Sequence, residues 1–432
     1  MRIASKTDVR DRSAHRGRLL LAATAGVAAL GLVPAVSADA ATPTTPTPAP
    51  APAATSLDAF YSAPAPLPSA PAGTLIRSRP LSIGGVTLPA YRAWSVMYHS
   101  RDSHGRDIPV TGAVLTPRSA WSGSGPRPFV SLGVGTQGLG PQCAPSKQLA
   151  AGSEYESGNI VAALARGWGV AVTDYEGYVN GGTPTYTDGR SEAHAVLDIV
   201  RTARHVSGAG ASRTTPVGLW GYSQGGGAVG WAAALAPGYA PDVKVVGTAA
   251  GGVPSDLKAV GANLNGSLFG GLLGYSLVGF SQAYPGLARF DQVTNAQGKQ
   301  VAAQLKTECV GDTAVKHPGL DVQDLTKQHL TYDQFAQLPG EAKILAMNNL
   351  ATAAPAPKKA PVLQYHSLGD EVVPLTQALQ LHRTWCAKGV KTAFMPPYPG
   401  EHLTGDSAGL PDAIAFLNGR FSNQPFVSTC PL

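Results

Sequence analysis

Residues 221–225 read GYSQG and place a serine between two glycines. The preceding segment TPVGLW is typical of a buried strand, and the following GGAVGWAAALA is typical of a helix of small residues. A strand, a sharp turn and a helix in this order expose the serine hydroxyl, because the glycines relieve crowding in a strained turn. The motif therefore predicts that Ser223 is a nucleophile, and an ordinary glycine-rich turn is the alternative.

A serine nucleophile needs a general base, and the base needs an acid to hold its tautomer. Asp370 comes after the apolar run PVLQY, and His402 comes after the next run, TAFM. If both runs are parallel strands, both residues lie in loops at the carboxyl edge of the sheet. The chain order serine, acid, histidine then predicts a triad of Ser223, Asp370 and His402.

Three other residues compete for these roles. Glu371 is adjacent to Asp370 and could replace it as the acid. His366 precedes the acid in the chain, and His382 falls within a helical pattern, so both are weaker candidates for the base.

The tetrahedral intermediate of serine acylation needs N–H donors for its oxyanion. One donor is expected from Gln224, which follows the nucleophile. A second is expected from the glycine-rich segment PFVSLGVGTQGLG, which follows an earlier strand. The candidates in that segment are Gly135, Thr136, Gln137 and Gly138.

The elements that must position these residues alternate between strand-like and helical patterns, which predicts an α/β fold with a mostly parallel sheet flanked by helices. The predicted strands are 92–98, 111–115, 128–132, 169–173, 216–220, 243–248, 361–365 and 392–395. The predicted helices are 191–206, 224–235, 375–388 and 411–420.

Residues 254–354 break this alternation, since they contain no clear strand and their pattern is helical with glycine-rich interruptions. An insertion of this length between two late strands predicts a mainly helical cap or lid. The core would then consist of residues 57–253 and 355–432.

The N-terminus predicts export. A basic region ends at Arg18, an apolar run covers residues 19–33, and small residues end at Ala40. This order predicts a secretory signal peptide over residues 1–40, because 15 apolar residues are short for a membrane anchor. Residues 41–56 are rich in proline, alanine and threonine and predict a semi-rigid linker.

Charge and cysteines narrow the class of protein further. The net charge is +6, and the first forty residues carry half of it, with six basic and three acidic side chains. No run of lysine or arginine follows, so nucleic-acid binding is not expected. An exported chain with four cysteines is expected to form two disulfides, and four cysteines allow three pairings. The absence of a CxxC pair argues against a zinc site. The cysteines are Cys143, Cys309, Cys386 and Cys430.

Several segments resemble the secretory lipases typified by Candida antarctica lipase A, within the α/β-hydrolase superfamily. The matching segments, in chain order, are YSAPAPLPSAPAGTLIRSRPL, QCAPS, GWGVAVTDYEGY, GYSQGG, YAPDVKVVGTAAGGVPSD and GEHLTG. They extend from residue 61 to the last cysteine region, so the resemblance covers nearly all of the chain beyond the linker. It implies an α/β-hydrolase fold with an inserted, mainly helical cap.

The resemblance also implies roles for particular residues. It makes Ser223 the nucleophile, Asp370 the acid and His402 the base, as the motifs do. It selects Gln137 and Gln224 as the oxyanion donors, although the family type has Asp where this chain has Gln137. Its implied disulfides are Cys143–Cys309 and Cys386–Cys430.

The expected activity is that of a secreted serine lipase, which hydrolyses medium- or long-chain carboxylic esters, above all triacylglycerols, through an acyl-enzyme. The cap would enclose a tunnel for the acyl chain. The expected partner is a lipid or other ester at an oil–water interface; no metal or organic cofactor, no transmembrane segment after signal cleavage and a monomer are expected. The alternatives are a carboxylesterase or acyltransferase for shorter acyl esters, a serine exopeptidase, and a non-catalytic binding protein of the same fold.

Overall fold

Runs of aliphatic and β-branched residues form a nine-stranded sheet in the computed structural model, which describes residues 58–85 and 90–431. The predicted signal peptide and linker lie outside the described residues. The strands are β1 (Leu75–Pro80), β2 (Tyr91–Arg101), β3 (Asp107–Pro117), β4 (Phe129–Gly133), β5 (Gly169–Thr173), β6 (Pro216–Tyr222), β7 (Lys244–Gly251), β8 (Val362–Tyr365) and β9 (Thr392–Phe394).

The sheet has the strand order β1-β2-β3-β5-β4-β6-β7-β8-β9. The first three pairs, β1 with β2, β2 with β3 and β3 with β5, are antiparallel, and every later pair is parallel. The central strands β4 and β5 are buried along their whole length, as strands covered by helices on both faces must be. The predicted α/β fold with a mostly parallel sheet is therefore confirmed.

Sixteen α-helices accompany the sheet in the described ranges, together with two short 3-10 helices at Ala59–Tyr61 and Pro141–Cys143. Six pack around the core: α1 (Pro145–Ala151), α2 (Ser157–Ala165), α3 (Gly189–Ala203), α4 (Gln224–Tyr239), α15 (Leu375–Ala387) and α16 (His402–Phe421). None of the helices in these ranges combines the length and apolarity that crossing a bilayer requires.

The other ten helices lie between β7 and β8, and we call residues 254–354 the insertion. They are α5 (Leu257–Leu264), α6 (Gly270–Ala283), α7 (Pro285–Ala288), α8 (Phe290–Val293), α9 (Ala296–Leu305), α10 (Val310–Lys316), α11 (Val322–Leu325), α12 (Tyr332–Ala336), α13 (Pro339–Met347) and α14 (Leu350–Ala353). Most of their buried side chains form small apolar clusters of their own, separate from the core of the sheet.

Several elements differ from the sequence-based expectation, including helices α1 and α2, which were not predicted. Strand β1 was not predicted, because it is an edge strand whose side chains are half-buried or exposed and so lacks an apolar run. Helix α16 begins at His402 instead of near Pro411, because the side chain of Glu401 caps it by accepting hydrogen bonds from the N–H groups of Leu403 and Thr404. Pro411 lies inside this helix.

Candidate active site

Ser223 lies at the sharp turn between β6 and α4. Its backbone has φ 56° and ψ −124°, and residues other than glycine rarely adopt such a positive φ. The turn is possible because the residues two positions before and after Ser223 are glycines: a Cβ at Gly225 would overlap the carbonyl oxygen of Gly133. The strain is concentrated at the residue that carries the hydroxyl, as expected at a functional turn.

His402 and Asp370 complete a hydrogen-bonded chain with this serine. The Nε2 atom of His402 is 2.8 Å from Ser223 Oγ, and its Nδ1 atom is 2.9 and 2.8 Å from the two carboxyl oxygens of Asp370. The side chain of Asp370 is fully buried and that of His402 is 6% exposed, so the contacts are shielded from water. The structure thus brings together the three residues of the predicted triad in the order that proton transfer requires.

Backbone and side-chain donors keep Asp370 ionised. Burial by itself would raise the pKa of its carboxyl, but the hydrogen bond with His402 and the N–H groups of Val372 and Val373 bring that pKa below its usual range. His366 is a fourth group beside Asp370: its Nε2 atom is 3.2 Å from Asp370 Oδ2 and donates to the carbonyl of Val373. Asp370 is therefore suited to orient the base and to stabilise its protonated form.

The competing residues take other positions. Glu371 does not contact the His402 ring; its Oε2 accepts a hydrogen bond from the His402 backbone N–H at 3.1 Å. His366 is fully buried behind Asp370, and burial lowers its pKa. His382 lies on α15, beside Gln364 and away from the serine.

The two residues that the sequence proposes as oxyanion donors, Gln224 and Gln137, lie in different surroundings. Gln224 is the first residue of α4, so its N–H has no partner within the helix. Its side chain does not point to the serine but donates to Glu192 Oε1 at 2.7 Å. In the segment after β4, which we call the oxyanion loop (residues 134–140), Thr136 lines the catalytic cavity. The side chain of Gln137 is buried away from it, so only backbone donation remains as a prediction for that residue.

A cavity of about 470 Å³ opens onto the serine and the histidine. One wall is polar and includes Glu156 and Asp406, while much of the remaining lining is apolar. The apolar lining includes Phe269, Leu272, Val310, Ala314, Val372 and Leu403. Because the insertion supplies four of these six side chains, it shapes the space that an ester would occupy.

The insertion is joined to the oxyanion loop by several bonds. The N–H of Val310 donates to Gln137 O at 2.9 Å, and Glu308 O accepts from the N–H groups of Leu139 and Gly140. A disulfide joins Cys309 of the insertion to Cys143, which lies three residues beyond the oxyanion loop. A second disulfide, Cys386–Cys430, joins α15 to the C-terminal segment. Both pairings are those that the family resemblance implies.

Among the described residues, one group of potential metal ligands is found. It consists of His382, Cys386 and Cys430, whose ligand atoms lie within 4.8 Å of one another. The two sulfur atoms form a disulfide, so they cannot act as thiolate ligands. This group is therefore a structural crosslink with a neighbouring histidine.

Sequence reasoning missed the polar residues that surround the oxyanion loop. Glu154 and Glu156 lie between α1 and α2, and each is 4% exposed. Glu192 on α3 is 3% exposed, and burial raises its pKa to about 8. Acidic side chains that are not near a strand end give no sequence signal of this kind; only the folded chain shows that they are buried.

The sheet, the strained serine turn and the three-residue hydrogen-bonded chain are those of the α/β-hydrolase class. Among solved structures, Candida antarctica lipase A is similar to this chain, with a TM-score of 0.76 and 25% identity over 86% of this chain and 87% of that one. A cell-wall-degrading esterase of Xanthomonas oryzae has a TM-score of 0.68 at 22% identity, over 82% and 100% of the two chains, which shows a shared fold.

The family model described as secretory lipase matches residues 144–429. Lipase 4 of Candida albicans is 30% identical over 87% of this chain and 83% of its own length. A probable inactive lipase of Mycobacterium tuberculosis is 29% identical over 85% of this chain and 82% of its own length. This chain belongs to the secretory lipase family.

Proposed function

We propose that this protein is a secreted serine lipase that hydrolyses carboxylic esters of medium or long acyl chain, with triacylglycerols as the main substrates. The observation that carries the proposal is the 2.8 Å contact between His402 Nε2 and Ser223 Oγ within a cavity that has extensive apolar walls. A serine hydroxyl paired with a general base in this way is activated to attack the carbonyl of a bound ester.

Each residue then has a defined role. Ser223 Oγ attacks the ester carbonyl while His402 accepts its proton, and Asp370 stabilises the resulting imidazolium. The N–H of Gln224 and a backbone N–H of the oxyanion loop bind the negative oxygen of the tetrahedral intermediate. His402 then gives its proton to the leaving alcohol, and a water molecule activated by His402 releases the acyl group.

The lining of the cavity supports an acyl chain of more than a few carbons. A buried methylene group contributes about 0.8 kcal/mol to binding, so each added carbon that reaches the apolar walls raises kcat/KM until the walls are filled. Phe269, Leu272 and Val310 supply such a wall from the insertion. An acetyl group is too short to gain binding energy from such an apolar wall.

Exposed apolar side chains near the cavity support a substrate that is presented at an oil surface. Leu403 lines the cavity and is 65% exposed. Leu268 and Val315, which are 64% and 80% exposed, are the direct neighbours of the lining residues Phe269 and Ala314. Exposed apolar side chains that cluster at one site mark contact with another apolar surface.

The two disulfides support export, because such bonds persist in oxidising compartments and are rare in the cytosol. The N-terminal signal pattern points the same way.

The test is a comparison of wild type with Ser223→Ala on p-nitrophenyl esters from acetate to palmitate and on emulsified triolein. We expect the wild type to prefer the longer chains and the variant to lose about 1,000-fold or more of kcat. Activity confined to acetate and butyrate would make the protein a carboxylesterase with the same nucleophile. Equal activity of both proteins would contradict the triad.

One relative is a probable inactive lipase, so a non-catalytic binding protein is the alternative from another class. A fluorophosphonate probe distinguishes the two, because it labels a serine only when base and oxyanion donors activate it. Stoichiometric labelling of Ser223 is expected. No labelling of the folded wild type would favour the binding protein.

We call the exposed apolar residues Leu268, Val315 and Leu403 the apolar rim. Its role is tested by Leu268→Asp, with Val427→Asp as the matched control. Both side chains are apolar and exposed. Leu268 is the direct neighbour of the lining residue Phe269, whereas Val427 belongs to the C-terminal segment and adjoins no lining residue in the chain. We expect Leu268→Asp to lower hydrolysis of emulsified triolein about tenfold while leaving hydrolysis of dissolved p-nitrophenyl butyrate unchanged. Equal loss in both variants would contradict a specific role of the rim.

A further inference from the structure

Three consecutive residues between α1 and α2 contact three consecutive residues of the oxyanion loop. We call residues 154–156 the Glu-Tyr-Glu segment. Its contacts are Glu156 Oε1 with the N–H of Gly135 at 2.9 Å, the hydroxyl of Tyr155 with the carbonyl of Thr136 at 3.0 Å, and Glu154 Oε1 with the side-chain amide of Gln137 at 3.2 Å.

These contacts fix the loop from one side while the insertion fixes it from the other. The carbonyl of Gln137 and the N–H groups of Leu139 and Gly140 are bonded to residues 308–310 of the insertion. Glu154 also accepts the N–H of Glu156 at 3.0 Å, so the Glu-Tyr-Glu segment is itself held in one conformation. The direction of the loop N–H groups, on which the oxyanion depends, is thus set by both neighbours.

The carboxyl groups of this segment lie in an unusual electrostatic environment. Glu154 and Glu156 each have one carboxyl oxygen that is buried without a hydrogen-bond partner among the described residues. Asp406, which lies four residues after His402 on α16, lines the same cavity as Glu156 and accepts hydrogen bonds only from Asn159. Two carboxyl groups, those of Glu156 and Asp406, therefore line the cavity that contains Ser223, and a third, that of Glu154, contacts the oxyanion loop.

No lysine or arginine of the described ranges offsets this charge at Glu156. The titratable groups that face Glu156 are Glu154, Asp406 and the tyrosines Tyr155, Tyr175 and Tyr365, while His402 faces Asp406. Burial, followed by the charges of Asp406 and Glu154, raises the pKa of Glu156. Burial also raises the pKa of Glu154 to about 7 and that of Asp406 to about 6.

We propose that Glu154, Tyr155 and Glu156 are positioning residues for the oxyanion loop, and that Glu156 acts in its neutral form. The neutral acid accepts the Gly135 N–H through its carbonyl oxygen, as a carboxylate would, but places no negative charge beside the developing oxyanion. Ionisation of Glu156 keeps the contact and opposes the charge of the transition state. The proposal rests on the proposed serine chemistry.

The test measures the rate at which a fluorophosphonate phosphonylates Ser223 between pH 5 and 9, because this reaction also develops charge on an oxygen held by the loop. The variants are Glu156→Gln, which keeps the acceptor oxygen but cannot ionise, and Glu156→Ala, which removes it. The matched control is Glu341→Gln, another buried glutamate with a raised pKa that lies in the insertion and lines no part of this cavity. Melting temperatures verify that each variant is folded.

We expect the phosphonylation rate of wild type and of Glu341→Gln to fall towards the alkaline end. The rate of Glu156→Gln should fall less, because only the other carboxyl groups near the loop, those of Glu154 and Asp406, still ionise in that variant. At pH 6 Glu156→Gln should match wild type, whereas Glu156→Ala should be about 10- to 100-fold slower. In the ester assay, Glu156→Ala should lower kcat and leave KM unchanged.

Three results would overturn the proposal. These are an unchanged alkaline decline in Glu156→Gln, an undiminished rate in folded Glu156→Ala, and a loss at pH 6 that Glu156→Gln does not rescue. A failure of the proposed function is distinguishable, because it would show in the wild type itself, as absence of labelling by the probe or as slow turnover of every ester, and not as a difference between the Glu156 variants.

Discussion

Raising the pH should weaken the fold through a single glutamate of the insertion. Glu341 is 5% exposed and lies between two small apolar cavities of about 50 and 30 Å³. Its carboxyl accepts no hydrogen bond from the described residues, and burial alone raises its pKa from 4.5 to about 7. The folded protein therefore binds a proton that the unfolded chain releases at lower pH.

The sign and size of the effect follow from this difference. Between pH 4.5 and about 7 the folded state holds more protons than the unfolded state, so the free energy of unfolding falls as the pH rises. Each pH unit in this window costs about 1.4 kcal/mol. The whole window costs about 3 kcal/mol, and above it the contribution of Glu341 stays constant.

Urea unfolding of wild type and Glu341→Gln at pH 4.5 and pH 8 measures this cost. Other buried carboxyl groups contribute to both proteins, so the loss of stability between the two pH values should be smaller in the variant by about 3 kcal/mol. Asp333→Asn, an exposed acid of the same insertion, should behave as wild type. If Glu341→Gln loses as much stability as wild type, the carboxyl is not buried as described.

Two further substitutions test the site. Gly225→Ala places a methyl group against the Gly133 carbonyl, so we expect the free energy of unfolding to fall by more than about 3 kcal/mol or the protein not to fold. Gly238→Ala on the same helix has open space for its methyl group, so thermal unfolding should show a gain of about 0.5 kcal/mol in stability. Asp370→Asn should leave the melting temperature nearly unchanged but lower kcat by about 10³ to 10⁴, since His402 loses the carboxylate that holds its tautomer. A kcat within tenfold of wild type would exclude Asp370 as the acid.

The sequence contained most of the information on the sheet. Buried parallel strands are continuous apolar runs, and all eight predicted strands correspond to observed strands to within a few residues at each end. The edge strand β1 was missed because its side chains are partly exposed, so its pattern differs little from that of a loop. The start of α16 was placed too late because proline and glycine residues concealed the cap at Glu401.

The sequence by itself predicted which three residues the fold brings together at the serine. Ser223, Asp370 and His402 each follow a strand, and the topology of a parallel sheet brings such positions to one edge, so their proximity follows from chain order. The surroundings of the oxyanion loop were decided by the tertiary structure. Glu156 and Asp406 lie some 250 residues apart in the chain and obey no spacing rule. Their burial and shared cavity arise only when α2, α16 and the insertion pack together, because a pKa depends on neighbours in space and not on neighbours in sequence.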